Sequence, residues 1–144
     1  METVEQIDIL LVEDNALDAE LTMLSLKDQK VANKITWVKD GQQALDYVFR
    51  HGAYEGRTDA GPRLIFLDLK MPRVDGTEVL RAIKTDEHTK RIPVIIMTSS
   101  NEESDIARTY DLGANSYVVK PVDFDALAEV ARQIGLYWLV INQP

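Results

Sequence analysis

The stretch LIFLDLKMP, residues 64–72, decides the fold. Leu64, Ile65, Phe66 and Leu67 are apolar without alternation, the pattern of a strand buried on both faces. Strands of that kind belong to parallel sheets covered by helices on each side. The run ends in Asp68, with Lys70 and Pro72 close behind. A carboxylate delivered there is costly to ionise unless something compensates it. Four more short apolar runs flank this one: IDILLV (7–12), ITWV (35–38), PVIIM (93–97) and SYVV (116–119). Between them lie segments of helical spacing. Leu17, Leu21 and Leu24 form one stripe, Ala44, Leu45, Val48 and Phe49 a second, and Val79, Leu80 and Ile83 a third. Ile106, Ala107 and Tyr110 give a shorter one that stops near Gly113, and Leu127, Val130, Ala131 and Ile134 give the last.

Strands alternating with helices predict an α/β fold, a doubly wound parallel sheet of five strands with right-handed crossovers and helices on both faces. The Gly-rich, polar stretch HGAYEGRTDAGPR (51–63) is expected to be a surface excursion. Residues 1–144 are expected to form a single domain, with 135–144 as an apolar extension of the last helix.

Composition excludes several classes. A net charge of −8 and a pI near 4.7 argue against a sequence-independent grip on nucleic acid or anionic lipid, so neither DNA nor membrane is an expected partner. There is no cysteine, hence no disulfide framework and no thiolate zinc site. No apolar stretch approaches the roughly 20 residues of a membrane span. The start, METVEQIDILLVED, lacks a basic region and a cleavage site. A cytoplasmic location is expected.

In open α/β sheets, ligands bind beyond the carboxyl ends of the strands. The first run ends in Glu13 and Asp14, the third in Asp68, the fourth in Thr98 and Ser99, the fifth in Lys120 and Pro121. The second ends in Lys39-Asp40-Gly41, an ordinary turn. Three carboxylates within about 5 Å repel one another by roughly 3 kcal/mol per pair at an effective dielectric near 20. A divalent cation removes that penalty, and an all-oxygen ligand set points to Mg²⁺ or Mn²⁺. A Mg²⁺ with open positions usually meets a phosphate, whose remaining oxygens Lys120 and Thr98 would hold. With no Walker loop and no Gly-rich nucleotide fingerprint, that phosphate is not expected to belong to a nucleotide. The remaining role is covalent: Asp68 as a nucleophile that becomes an aspartyl phosphate.

These residues resemble the receiver domain of two-component response regulators, from about Ile7 to Ile134. The likeness rests on LLVEDN, IFLDLKMPRVDG, PVIIMTSS and GANSYVVKP, with Thr98 and Lys120 lying 30 and 52 residues after Asp68. The resemblance implies a flavodoxin-like strand order 2-1-3-4-5 and phosphorylation of Asp68 by a histidine kinase. It also implies metal binding by Glu13, Asp14, Asp68 and the Lys70 backbone carbonyl. Thr98 would sense the phosphoryl group, Lys120 would pair with it, and Tyr117 would turn inward with Thr98. A cis Lys120–Pro121 bond is expected as well. The 51–63 loop and the GLYWLVINQP tail resemble, more narrowly, the single-domain regulators that partner bacterial phytochrome kinases. Lys70 departs from the commonest pattern, in which the position two after the phosphoacceptor is uncharged or acidic, and so bears on phosphate lifetime. Glu13 for the frequent aspartate is a milder variation.

Blander readings stand beside these. Asp14 or Asn15 would serve as N-cap of the first helix, and Thr98 or Ser99 as caps of the fourth. A half-buried strand tyrosine such as Tyr117 needs no special role. His51 and His88 are expected to be solvated. An aspartate-nucleophile phosphohydrolase uses a similar residue set, but wants a carboxylate where Lys70 stands and a cap for substrate. No dedicated substrate turnover is therefore expected. A phosphate sink or phosphorelay intermediate without switched output is the other alternative. The tail residues Tyr137, Trp138 and Leu139 form an apolar surface that points to a homodimer through the last helix.

Overall fold

A computed structural model describes residues 7–28, 32–69, 71, 74–99 and 102–120. The elements run β1 (Ile7–Val12), α1 (Ala16–Asp28), β2 (Ala32–Val38), α2 (Gly41–Phe49), a 3₁₀ turn (Gly52–Tyr54), β3 (Leu64–Leu67), α3 (Gly76–Thr85), β4 (Val94–Thr98), α4 (Glu103–Asp111) and β5 (Ser116–Val119). The expected last helix and its extension lie outside the described residues. All strand pairs are parallel, in the order β2-β1-β3-β4-β5. This is the flavodoxin-like doubly wound sheet.

The inner strands β1, β3 and β4 are buried on both faces, and the pleat sorts their side chains between two cores. Leu10, Val12, Ile65, Leu67, Val94 and Ile96 face one side, where Ala44, Tyr47 and Val48 of α2 and Val79, Leu80 and Ile83 of α3 complete a buried cluster. Ile9, Leu11, Leu64, Phe66, Ile95 and Met97 face the other, against Ala19 and Leu26 of α1. Alternate residues of one strand thus serve two helical layers, which is why the sequence shows continuous apolar runs. β4 begins one residue later than expected because Pro93 has no N–H for the ladder, although its carbonyl still accepts from Ile65 at 3.0 Å. β2 begins three residues earlier than expected, at Ala32, in register with Ile7, and carries Lys34 opposite Asp8. An edge strand tolerates such polar residues, so hydrophobicity alone understated its length.

Two helices turn differently from their sequence stripes. In α1 the three leucines of the stripe face out: Leu17 is 63%, Leu21 38% and Leu24 59% exposed, while Ala19, Thr22 and Leu26 are buried. The small Ala19 and Thr22 let the helix lie close to the sheet, and the Thr22 hydroxyl is satisfied by the Asp18 carbonyl at 2.8 Å. In α4, Tyr110 is 48% exposed and Thr109 is buried, its hydroxyl donating to the Ile106 carbonyl. The cap of α4 is Glu102, not Thr98 or Ser99. Asn15 caps α1 through its side-chain oxygen, 2.9 Å from the Asp18 amide. Asp40, which looked like a turn residue, caps α2 by accepting from the Gln43 amide.

The 51–63 segment is packed down rather than simply solvated. The Tyr54 ring meets Tyr47 edge-on at 5.0 Å, and the Arg57 guanidinium lies over the Tyr47 ring at 4.3 Å while pairing with Asp59. His51 and His88 are exposed as expected.

Candidate functional site

The backbone ladder continues past the strand ends and carries the functional residues with it. Glu13 N–H donates to the Val38 carbonyl, Asp68 N–H to the Val12 carbonyl and Lys120 N–H to the Thr98 carbonyl, at 3.1, 3.1 and 2.8 Å. Each of these residues thus gives its backbone N–H to one more rung between its own strand and a neighbour, which fixes where its side chain starts. On its other side, the Glu13 carbonyl accepts from the Trp37 indole N–H at 2.7 Å. Behind Asp68 the chain turns tightly into α3: a Cβ on Gly76 would lie 2.3 Å from the Asp68 carbonyl oxygen, so only glycine fits. The Gly76 amide closes the turn on the Leu69 carbonyl, and Asp75 caps α3 by accepting from Thr77.

Carboxylate oxygens of Glu13, Asp14 and Asp68 come within 4.8 Å of one another. Glu13 and Asp68 are buried and Asp14 is exposed, so the group opens to solvent on the Asp14 side. The Lys120 ammonium reaches Glu13 Oε1 at 2.6 Å, Asp18 Oδ2 at 2.9 Å and Asp68 Oδ2 at 3.3 Å. Burial pushes the Glu13 carboxyl up to about 7, helped by the charge of Asp68 and opposed by Lys120 and the Asn15 amide. For Lys120, burial pulls downward, but hydrogen bonds to Glu13 and Asp18 and the charges of Asp68 and Glu13 hold it above its ordinary value. One ammonium therefore stands against four carboxylates, and the excess negative charge suits a hard divalent cation held by oxygen. Glu13, Asp14 and Asp68 are the residues that would hold it, and such a cation would neutralise charge on an incoming phosphoryl group.

Thr98 is fully buried at the end of β4. Tyr117, in register with Ile96, is half-buried and packs against the cluster formed with α2 and α3. Lys70, Pro121, Tyr137, Trp138 and Leu139 lie outside the described residues. Sequence reading missed Asp18 and Trp37. Asp18 lies in the first turn of α1, four residues after Asp14 and close enough to reach the same strand ends, but the leucine stripe pointed to a different face of the helix. Trp37 carried no such signal, since nothing in ITWV shows which way an indole points.

A sheet of this order with acids, a buried hydroxyl and a lysine gathered at its carboxyl edge is the architecture of a phosphorylation-controlled receiver. The chain belongs to the response regulator receiver family, whose model matches residues 9–132. It is a signalling protein of the two-component type. Among its relatives, the probable methanogenesis regulatory protein FilR2 of Methanothrix harundinacea is 42% identical over 135 residues, covering 94% of this chain and 85% of FilR2. The phosphorylated cyanobacterial phytochrome response regulator RcpA superposes with a TM-score of 0.80 at 37% identity, covering 96% of this chain and 98% of RcpA. The Mn²⁺-bound form of the response regulator Rcp1, known from Synechocystis, superposes with a TM-score of 0.79 at 36% identity, covering 92% and 94%. Among the described residues, no helix is long and apolar enough to cross a membrane.

Proposed function

We propose that this receiver takes a phosphoryl group onto Asp68 from the phosphohistidine of a histidine kinase. An Asp68 carboxylate oxygen attacks phosphorus, the P–N bond breaks, and the released imidazole takes up a proton. Glu13, Asp14, Asp68 and the Lys70 carbonyl hold Mg²⁺, with Mn²⁺ as a substitute; Lys120 pairs with the transferred group. The observation that carries this reading is the Lys120 ammonium 3.3 Å from Asp68 beside carboxylates gathered within 4.8 Å. Transfer then draws the Thr98 hydroxyl toward the phosphoryl oxygens and Tyr117 into the space behind it, changing the surface offered to partners. The protein acts in the cytoplasm and turns over no dedicated substrate.

Treatment with acetyl phosphate and Mg²⁺ tests the phosphoacceptor. Wild type should gain the mass of one phosphoryl group, and Asp68→Asn should gain none, because the amide is a poor nucleophile. Undiminished labelling of the variant would overturn the assignment.

The kinase is of the phytochrome class. RcpA, a phytochrome response regulator that shares this chain's fold over nearly its whole length, supports that choice, whereas FilR2 is a probable methanogenesis regulatory protein. Phosphotransfer from a phytochrome kinase, faster than from an unrelated kinase, is the expected result. The protein is also a homodimer joined through Tyr137, Trp138 and Leu139. Sedimentation should show a dimer that Trp138→Ala weakens, aromatic anchors being common hot spots; a monomer at high concentration would count against it.

A further inference from the structure

Asp18 belongs neither to the three acids that gather within 4.8 Å nor to any strand end, yet it bonds the lysine of the site. Its backbone is immobilised twice, by the Asn15 side chain on its N–H and by the Thr22 hydroxyl on its carbonyl. Its carboxylate is 30% exposed, so it reaches inward from the rim of the site. The ammonium of Lys120 has three protons and meets three carboxylates: Glu13, Asp18 and Asp68. Glu13 is itself fixed, since its second oxygen accepts from the Asn15 amide at 3.2 Å. Two of the three partners are therefore anchored groups that take no phosphoryl group. The third is the nucleophile.

We propose that Asp18 is a positioning residue: with Glu13 it forms a two-point rest that turns the remaining N–H of Lys120 toward Asp68 and the phosphoryl group arriving there. The inference rests on the reading of Asp68 as phosphoacceptor. Without the rest, Lys120 is still drawn to the site by charge, but its flexible four-carbon stem samples directions that miss the phosphoryl oxygens. Misaligned charge assistance slows group transfer, by as much as two orders of magnitude where a group is displaced by an ångström. What the rest requires of residue 18 is an oxygen acceptor in the right place more than a net charge. Asparagine supplies that oxygen and alanine does not.

Asp18→Ala and Asp18→Asn separate the two. Both changes are on the first turn of a partly exposed helix, and melting scans will show that each variant folds. With acetyl phosphate and Mg²⁺, Asp18→Ala should label about tenfold more slowly than wild type, with its affinity for Mg²⁺ alone unchanged within twofold. Asp18→Asn should recover most of the lost rate. Alanine labelling at the wild-type rate, or asparagine falling as far as alanine, overturns the proposal. The ε-methylene NMR signals of Lys120, assigned with Lys120→Ala, give a readout that needs no phosphorylation. They should shift in Asp18→Ala whether Mg²⁺ is present or absent; signals coinciding with wild type in Mg²⁺ overturn the proposal by themselves. Should wild type and Asp68→Asn label alike, the phosphoacceptor reading fails instead, and the NMR result still decides whether Asp18 holds Lys120.

Discussion

Glu13 shows how one side chain couples proton, metal and fold. Burial raises its carboxyl from 4.5 to about 7, so the folded protein holds this proton more tightly than the unfolded chain does. Its contribution to stability is therefore complete below pH 4.5 and is lost as the pH climbs to about 7. A cation needs the ionised form, so metal affinity rises across the same window. Melting scans without metal should show stability falling through that range. Mg²⁺ titrations on either side of it should show tighter binding on the alkaline side. A Mg²⁺ affinity that does not change with pH there, or a Glu13→Gln variant with the wild-type pH profile, would exclude Glu13 from the site.

Among the elements, α1 tests what hydrophobic spacing can decide. Leu26 is fully buried while Leu24, two residues away, is 59% exposed. Leu26→Ala should cost about 2–5 kcal/mol in chemical denaturation, whereas Leu24→Glu should stay within about 0.5 kcal/mol of wild type. The reverse order would mean that α1 packs by its leucine stripe. The sheet was legible because a strand buried on both faces leaves a run that nothing else explains, and LIFL and VIIM are such runs. The strand-end acids and Lys120 were legible for the same reason, since the end of each run names the residue at the carboxyl edge. The rotation of α1 was not. Ala19, Thr22 and Leu26 compete with Leu17, Leu21 and Leu24 as a stripe, and the winner depends on how closely the sheet lets the helix approach. Asp18 went unseen with it, because its role follows from which way that helix is turned.

For the molecule as a whole, the edge cluster gathers more negative than positive charge in one place, a repulsion that a bound cation would relieve. One lysine faces four carboxylates, so if Mg²⁺ is held by the folded site and not by the dispersed acids of the unfolded chain, it should raise the melting temperature with concentration. The combined variant Glu13→Gln, Asp14→Asn, Asp68→Asn should melt at a temperature that Mg²⁺ no longer moves. An equal Mg²⁺ shift in that variant would place the cation elsewhere.

The bonds from Lys120 to Glu13, Asp18 and Asp68 span 107, 102 and 52 residues of chain. During synthesis the amino-terminal half emerges first, carrying all of these acids long before their lysine exists outside the ribosome. Closing loops of that length is entropically expensive and slow, and for the last strand the uncompensated acids act as a beacon of opposite charge. Arrival of β5 should thus be the salt-sensitive step of folding, accelerated at low ionic strength. On the reading of Asp68 as phosphoacceptor, transfer assisted by Lys120 should accordingly be a late acquisition of the growing chain, absent until β5 has taken its place in the sheet beside β4.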